Sequence, residues 1–266
     1  MPVHRKHSVL SAWCLGVGLA SLGLPVAATT CVAESGPVRA ALVELYTSEG
    51  CSSCPPADAQ LSRLGRQTGA NVVPLAWHVN FWDHIGWKDP YAKPEHTVRQ
   101  RWLVGANGSS TLYTPHLFIN GRELRDRERA DAEIRTVIAQ KSGAALRVES
   151  SQVSGGVLQW QVQAQATDSG PAQTDPLALH IVITENGLRT RVRAGENEGR
   201  TLAHDHVVRH ASAPSPLRNG TARWQGDFPV AGPAPGSAGS RALELVAFVQ
   251  NTRTGEVLQA LRARPC

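Results

Sequence analysis

The hydrophobic period of the chain changes near Gly143, and that change limits what the sequence can fold into. Beyond it, Leu158, Trp160, Val162, Ala164 and Ala166 alternate with Gln159, Gln161, Gln163 and Gln165. A period of two puts the apolar side chains on one face of a half-buried strand, and no helix keeps them together. Two more strand–turn–strand patterns follow. One is Leu177–Thr184 with the Asn186-Gly187 turn and Leu188–Ala194; the other is Ala242–Gln250 and Glu256–Arg262 around the turn-like Asn251–Gly255. Strands and turns without helical periodicity predict an antiparallel sandwich over residues 143–266.

Before Gly143 the elements alternate. Val38–Thr47 is an apolar run suited to a buried strand. Ala57, Leu61 and Leu64 then share a helical face that closes at Gly69. Asn71–Val79 reads as a second buried strand, with Pro74 expected at its start. The aromatic stretch Asn80–Lys93 leads to a helix over Pro94–Val104. His116–Ile119, the Asn120-Gly121 turn and a polar strand make a hairpin, and Ile134, Val137 and Ile138 mark a last helix. The expected fold is therefore an α/β domain over residues 29–142 followed by an all-β, sandwich-like domain over 143–266.

Residues 1–28 read as an export signal and are set apart from the fold. Arg5 and Lys6 precede the apolar stretch Val9–Leu24, and Val26-Ala27-Ala28 suits a signal peptidase. That stretch is shorter than the ~20 residues a spanning helix needs, which predicts a periplasmic or secreted protein without stable membrane insertion. Thr30 before Cys31 argues against lipidation of that cysteine, because lipoprotein signals place Gly or Ala there. The chain has 27 basic and 22 acidic side chains, two of the basic ones in the leader. The excess is too mild to point to nucleic acid.

With Cys14 in the leader, Cys31, Cys51, Cys54 and Cys266 remain, an even set that fits an oxidising compartment. If Cys51 pairs with Cys54, Cys31 and Cys266 are left to tie the two ends as a structural disulfide; the alternative leaves both unpaired or linking chains. Cys51-Ser52-Ser53-Cys54 follows a buried strand and opens a helix at Pro55-Pro56. A sulfur there meets unpaired backbone N–H groups and the positive helix end, which favour thiolate. A four-cysteine zinc site would need a second close pair, which the spacing lacks. No P-loop, paired-glycine dinucleotide motif or G-x-S-x-G elbow is present, so no cofactor is expected.

The order strand, Cys51-x-x-Cys54, helix, then Thr114-Pro115, strand and Asn120-Gly121 resembles the thioredoxin superfamily. That resemblance implies a thioredoxin-like fold for residues 29–142. It also implies a cis-proline at Pro115 and a partner peptide received at Thr114 and Pro115. Four segments, ELYTSEGCSSCPPAD, AWHVNFWDHIGWKDPYA, YTPHLFINGRE and GENEGRTLAHDHVVRH, resemble an exported thioredoxin-like family known as domain of unknown function 1223. The resemblance implies a thiol–disulfide oxidoreductase acting on protein thiols or disulfides in the periplasm, with Cys51 as nucleophile and Cys54 resolving. Glu49 stands where that family usually has Gln, and a carboxylate two residues before Cys51 disfavours the thiolate.

Other readings stay open. Cys51 and Cys54 with His116 or His78 make a soft donor set for copper(I) or zinc, which would make the protein a copper-binding or delivery module. A closed, inert Cys51–Cys54 staple would instead serve a non-catalytic binding protein. His84 and His96 read as surface residues. His204, His206 and His210 share parity on one expected strand, and the loop with Trp82, Asp83, Trp87, Lys88 and Asp89 reads as a lid or a packed turn. Glu196 and Arg200 in GENEGR read as a local salt bridge.

Overall fold

The computed structural model describes residues 1–2, 30–66, 71–153, 157–167, 176–229 and 242–265. The stretch expected to be an export signal and Cys266, and with it the expected Cys31–Cys266 pairing, lie outside the described residues. The first half supplies β1 (Thr30–Glu34), β2 (Ala41–Thr47), α1 (Pro55–Gly65), β3 (Val72–His78), α2 (Pro94–Ala106), β4 (His116–Ile119), β5 (Arg122–Glu123) and α3 (Ala130–Ile138). The second half supplies β6 (Ala144–Val153), β7 (Val157–Ala166), β8 (Leu177–Asn186), β9 (Leu188–Arg191) and β10 (Thr201–His204). It continues with β11 (Val207–Ala211), β12 (Ser215–Pro216), β13 (Thr221–Pro229), β14 (Ala242–Asn251) and β15 (Val257–Ala263).

These elements correct the expected fold class. The structure is mostly β, with 46% strand and 19% helix, and is not a thioredoxin-like α/β domain followed by a β domain. One nine-stranded sheet runs β15-β14-β8-β11-β3-β2-β4-β5, with β12 also on β8, and so draws strands from both halves. The junction is the parallel pairing of β11 with β3, where Val207 lies opposite Ala76 and the Ala76 N–H donates to the His206 carbonyl at 2.8 Å. Pro74 sits inside β3 rather than at its start, opposite Val43 of β2.

The alternation in β7 holds as read. Its apolar face packs, in the antiparallel sheet β1-β6-β7-β13, against Leu179, Ile181, Leu245 and Ala247 of β8 and β14. The other face of those two strands carries Val182, Val246 and Phe248 into a core with Leu42, Tyr46, Trp77 and Leu103 under α2. Opposite α2, helices α1 and α3 cover Val43, Leu45, Ala76 and Ile119 with Leu61, Leu64 and Ile134. The large sheet is therefore sandwiched along its length, by helices at one end and by a second sheet at the other.

Close backbone approach locks the halves together. Asn120 (φ 45°) and Gly121 (φ 81°) form the turn expected between β4 and β5. A Cβ on Gly121 would lie 1.8 Å from the Gly255 carbonyl oxygen in the β14–β15 turn, so only glycine fits there. Among the described residues no helix is long and apolar enough to cross a membrane.

Candidate active site

The fully buried strand β2 delivers Ser48, Glu49, Gly50 and Cys51 to the amino end of α1. Cys51 and Cys54 form a disulfide with Cα atoms 5.4 Å apart. Cys54 caps α1, and Pro55-Pro56 fill its first turn, where a missing N–H costs least. A Cβ on Gly50 would come within 3.0 Å of the Trp82 Cβ, so this glycine lets the loop pass beneath the tryptophan. The Trp82 indole donates to Thr114 Oγ1 at 2.7 Å. Thr114, joined to Pro115 by a cis peptide bond, is thus tied through one side chain to the cysteine loop.

The bridge is enclosed, with Cys51 1% and Cys54 0% exposed. Its roof is the loop between β9 and β10. The buried Asn197 amide donates to the carbonyls of Glu49 (2.9 Å) and Cys51 (3.0 Å), and Arg200 donates to Asn197 Oδ1 at 2.7 Å. The exposed Glu196 carboxylate accepts from the Ser52 N–H at 2.9 Å, and bonds to the Ser52 backbone and hydroxyl hold its carboxyl below the ordinary range. GENEGR therefore supplies a clasp rather than a Glu196–Arg200 salt bridge. Asn197→Ala removes two buried hydrogen bonds worth together about 1–3 kcal/mol. It is expected to speed reduction of the bridge by dithiothreitol about tenfold or more, read by stopped-flow tryptophan fluorescence; an unchanged rate would show that this loop does not close the bridge.

Beneath the bridge lies a cluster of buried ionisable groups. Glu49 Oε1 accepts from His204 Nε2 at 3.0 Å, and its Oε2 accepts from the Trp87 indole at 2.8 Å. Both oxygens of the carboxylate expected to oppose the Cys51 thiolate are thus occupied. Asp89 Oδ2 accepts from the Glu49 N–H (2.9 Å) and pairs with His78 Nδ1 (2.7 Å), while Oδ1 accepts from the Tyr91 N–H (2.9 Å). The His78 and His204 rings meet edge to face, centroids 4.9 Å apart. Asp58, on the α1 face of Cys54, lies 3.8 Å from His204 Nδ1, too long for a hydrogen bond and close enough for charge attraction. Burial pushes the Asp58 carboxyl up, against the opposing pull of His204 and His78.

The histidines expected elsewhere are redistributed. His116 bonds Gln100 (3.2 Å) and Glu123 (3.1 Å) and stacks on Tyr113, so its nitrogens are spent away from the sulfurs. His78 turns to Asp89. Among the described residues no group of three or more His, Cys, Asp or Glu side chains is arranged to hold a metal ion. The shared face expected of His204, His206 and His210 is absent, because His206 sits at φ 58° between β10 and β11 and breaks the strand. His96 is buried rather than on the surface, its Nδ1 2.8 Å from the His78 carbonyl, and burial lowers its pKa to about 4. Sequence reasoning missed Asp58, Asn197 and the joining of His204 to Glu49; the only trace was the Gly-Glu-Asn-Glu-Gly turn.

The profile of a family described as "Protein of unknown function (DUF1223)" matches residues 42–250, which include the bridge, the clasp and most of the large sheet. The chain belongs to the DUF1223 family. No curated protein matches this DUF1223 sequence. Among solved structures it is similar to protein AGR_C_4864 from Agrobacterium tumefaciens. The TM-score is 0.58 and the identity 22%, over 87% of this chain and 97% of that one. It is also similar to HBP35 of Porphyromonas gingivalis, with a TM-score of 0.64 and 14% identity, over 86% of this chain and 76% of that one. At these identities both likenesses concern the fold alone.

Proposed function

We propose that this DUF1223 protein is an exported thiol–disulfide oxidoreductase acting on protein thiols or disulfides in the periplasm or outside the cell. The observation that carries this reading is the Cys51–Cys54 bridge at the amino end of α1, flanked in the chain by the buried carboxyl groups of Glu49 and Asp58. A group that cycles between disulfide and dithiol must exchange protons as well as electrons. Thiolate attack on Cys51 Sγ, or the reverse transfer, is the step the arrangement suits, with Cys54 leaving at the positive end of the α1 dipole. Thr114 and Pro115, held beside the loop by Trp82, would receive the partner chain once the clasp has opened.

The test is mixed-disulfide trapping. Cys54→Ser is expected to accumulate covalent adducts with unfolded proteins that carry disulfides; these adducts migrate as one species and collapse with excess dithiothreitol. Cys51→Ser should form none and should catalyse no insulin reduction. Equal trapping by both variants, or by neither, would contradict the assignment of Cys51 as nucleophile.

A further inference from the structure

The buried cluster contains polar capacity that the exchange step leaves unused. Among the described residues Asp58 Oδ1, His78 Nε2 and His204 Nδ1 are buried without hydrogen-bond partners, as is Thr47 Oγ1. Asp58, His78 and His204 are 8%, 0% and 3% exposed, so water in bulk does not satisfy them. Leaving such atoms unpaired costs about 1–3 kcal/mol each. His204 and Asp58 come from opposite halves of the chain and meet through β10 and α1. Asp58 is four residues after Cys54, its N–H donating to the Cys54 carbonyl at 3.0 Å, and positions i and i+4 share a helix face.

We propose that Asp58 and His204 carry the protons of the Cys51–Cys54 couple, Asp58 exchanging a proton with Cys54 and His204 recharging Asp58. This rests on the exchange reading only in requiring that the pair cycles. A thiolate of an incoming dithiol forms a bond to Cys51 Sγ as the Cys51–Cys54 bond breaks, and the electron pair stays on Cys54 Sγ. The Asp58 carboxylic acid gives its proton to that sulfur. The carboxylate that remains takes the Nδ1 proton of a His204 imidazolium, which leaves a neutral ring with its Nε2–H on Glu49. The second thiolate of the dithiol then attacks its own sulfur in the mixed disulfide and expels Cys51 as thiolate. The dithiol leaves as a disulfide, two electrons poorer, and the protein holds the reduced pair. Oxidation by an incoming disulfide runs the same steps backwards.

Burial keeps the Asp58 carboxyl in its acid form to higher pH than an exposed aspartate, which suits a donor to a thiolate leaving group. The groups that face the pair are Thr47 from β2, Glu49 from the loop after it, His78 from β3, and Asp89 and Tyr91 from the loop that follows β3. His204 is one of the charges that pull Asp58 down, so its loss moves the Asp58 titration to higher pH.

The experiment is single-turnover reduction of the mature protein's own bridge by dithiothreitol, from pH 4 to 9, with thiols counted by alkylation. Rates are taken where they are proportional to reductant and divided by its thiolate fraction. The wild-type value is expected to be flat on the acid side and to fall as Asp58 loses its proton. Asp58→Asn, checked for folding by circular dichroism, is expected to abolish that titration and to lie about tenfold or more below wild type on the acid side. His204→Gln, with Asp58 intact, is expected to shift the fall to higher pH. An unchanged profile in Asp58→Asn, or an unmoved midpoint in His204→Gln should the first variant not fold, overturns the relay. Because dithiothreitol replaces the protein partner, a relay that holds here alongside failed trapping would refute the exchange function and leave the proton path standing.

Discussion

Replacing Arg99 with alanine is expected to destabilise the protein by about 3–5 kcal/mol, which for a chain of this size lowers the thermal midpoint by roughly 10 °C or more. Arg99 stands on α2 and reaches into the large sheet. Its Nε donates to Glu44 of β2 at 2.8 Å and an Nη to Gln250 of β14 at 3.2 Å. Its guanidinium carbon lies 5.3 Å from the Trp77 ring centroid and 5.2 Å from that of Phe248. Glu44 is wholly buried and also accepts from the Trp77 indole at 3.0 Å. Removing the arginine therefore leaves a buried carboxylate without its cationic partner and strips the ring contacts that join β3 to β14. Glu44→Gln combined with Arg99→Met removes the charge from both sides and should recover most of the loss. A double variant as unstable as Arg99→Ala would show that packing, not the stranded carboxylate, sets the cost.

The second large effect concerns Asp89→Ala. This carboxylate is 3% exposed and holds His78, the Tyr91 N–H and the Glu49 N–H that positions the cysteine loop. Burial alone would raise the Asp89 pKa, but the His78 charge and its hydrogen bond, with the two backbone donors, hold it below the ordinary 3.8. Burial alone would lower His78, and the Asp89 carboxylate outweighs it, raising His78 above the ordinary 6.5. The Asp89 contribution is present above pH 3.8 and lost as pH falls through its depressed value. The His78 contribution is complete below pH 6.5 and lost as pH rises through its raised value. The pair therefore stabilises most between about pH 4 and 6.5. Thermal midpoints of wild type and Asp89→Ala should differ most in that window, by the equivalent of about 3–5 kcal/mol, and converge on either side. A difference independent of pH would mean that the pair is not ionised as described.

Much of the local structure could be read before the fold was known, for a physical reason. The alternation of β7, the Asn120-Gly121 turn and the proline start of α1 are each decided within a few residues, whereas at Asn186-Gly187 the chain bends out of β8 and β9 pairs with β10 instead. The placement of the cysteine bridge between β2 and α1 was legible for the same cause. What failed was the joining of the halves. The pairing of Val207 with Ala76 depends on two apolar runs with no local mark of each other, and a change of hydrophobic period looks the same whether it starts a new domain or extends an old sheet. His204 illustrates the cost of that error. Its parity with His206 and His210 pointed to one shared strand face, yet the positive φ at His206 ends the strand and β11 carries the segment onto the sheet beside the cysteine loop. Glu49 looked like a charge against the thiolate until its partners, brought from β10 and from the aromatic loop, were in place.

The central claim is that the Cys51–Cys54 bridge works as a redox couple rather than as a staple. The most direct measurement is a glutathione redox titration of the protein, with alkylated Cys51 and Cys54 counted by mass spectrometry. A midpoint between about −270 and −120 mV, the range of known exchange catalysts, is the predicted result. A value below about −300 mV, where structural disulfides lie, would contradict the account.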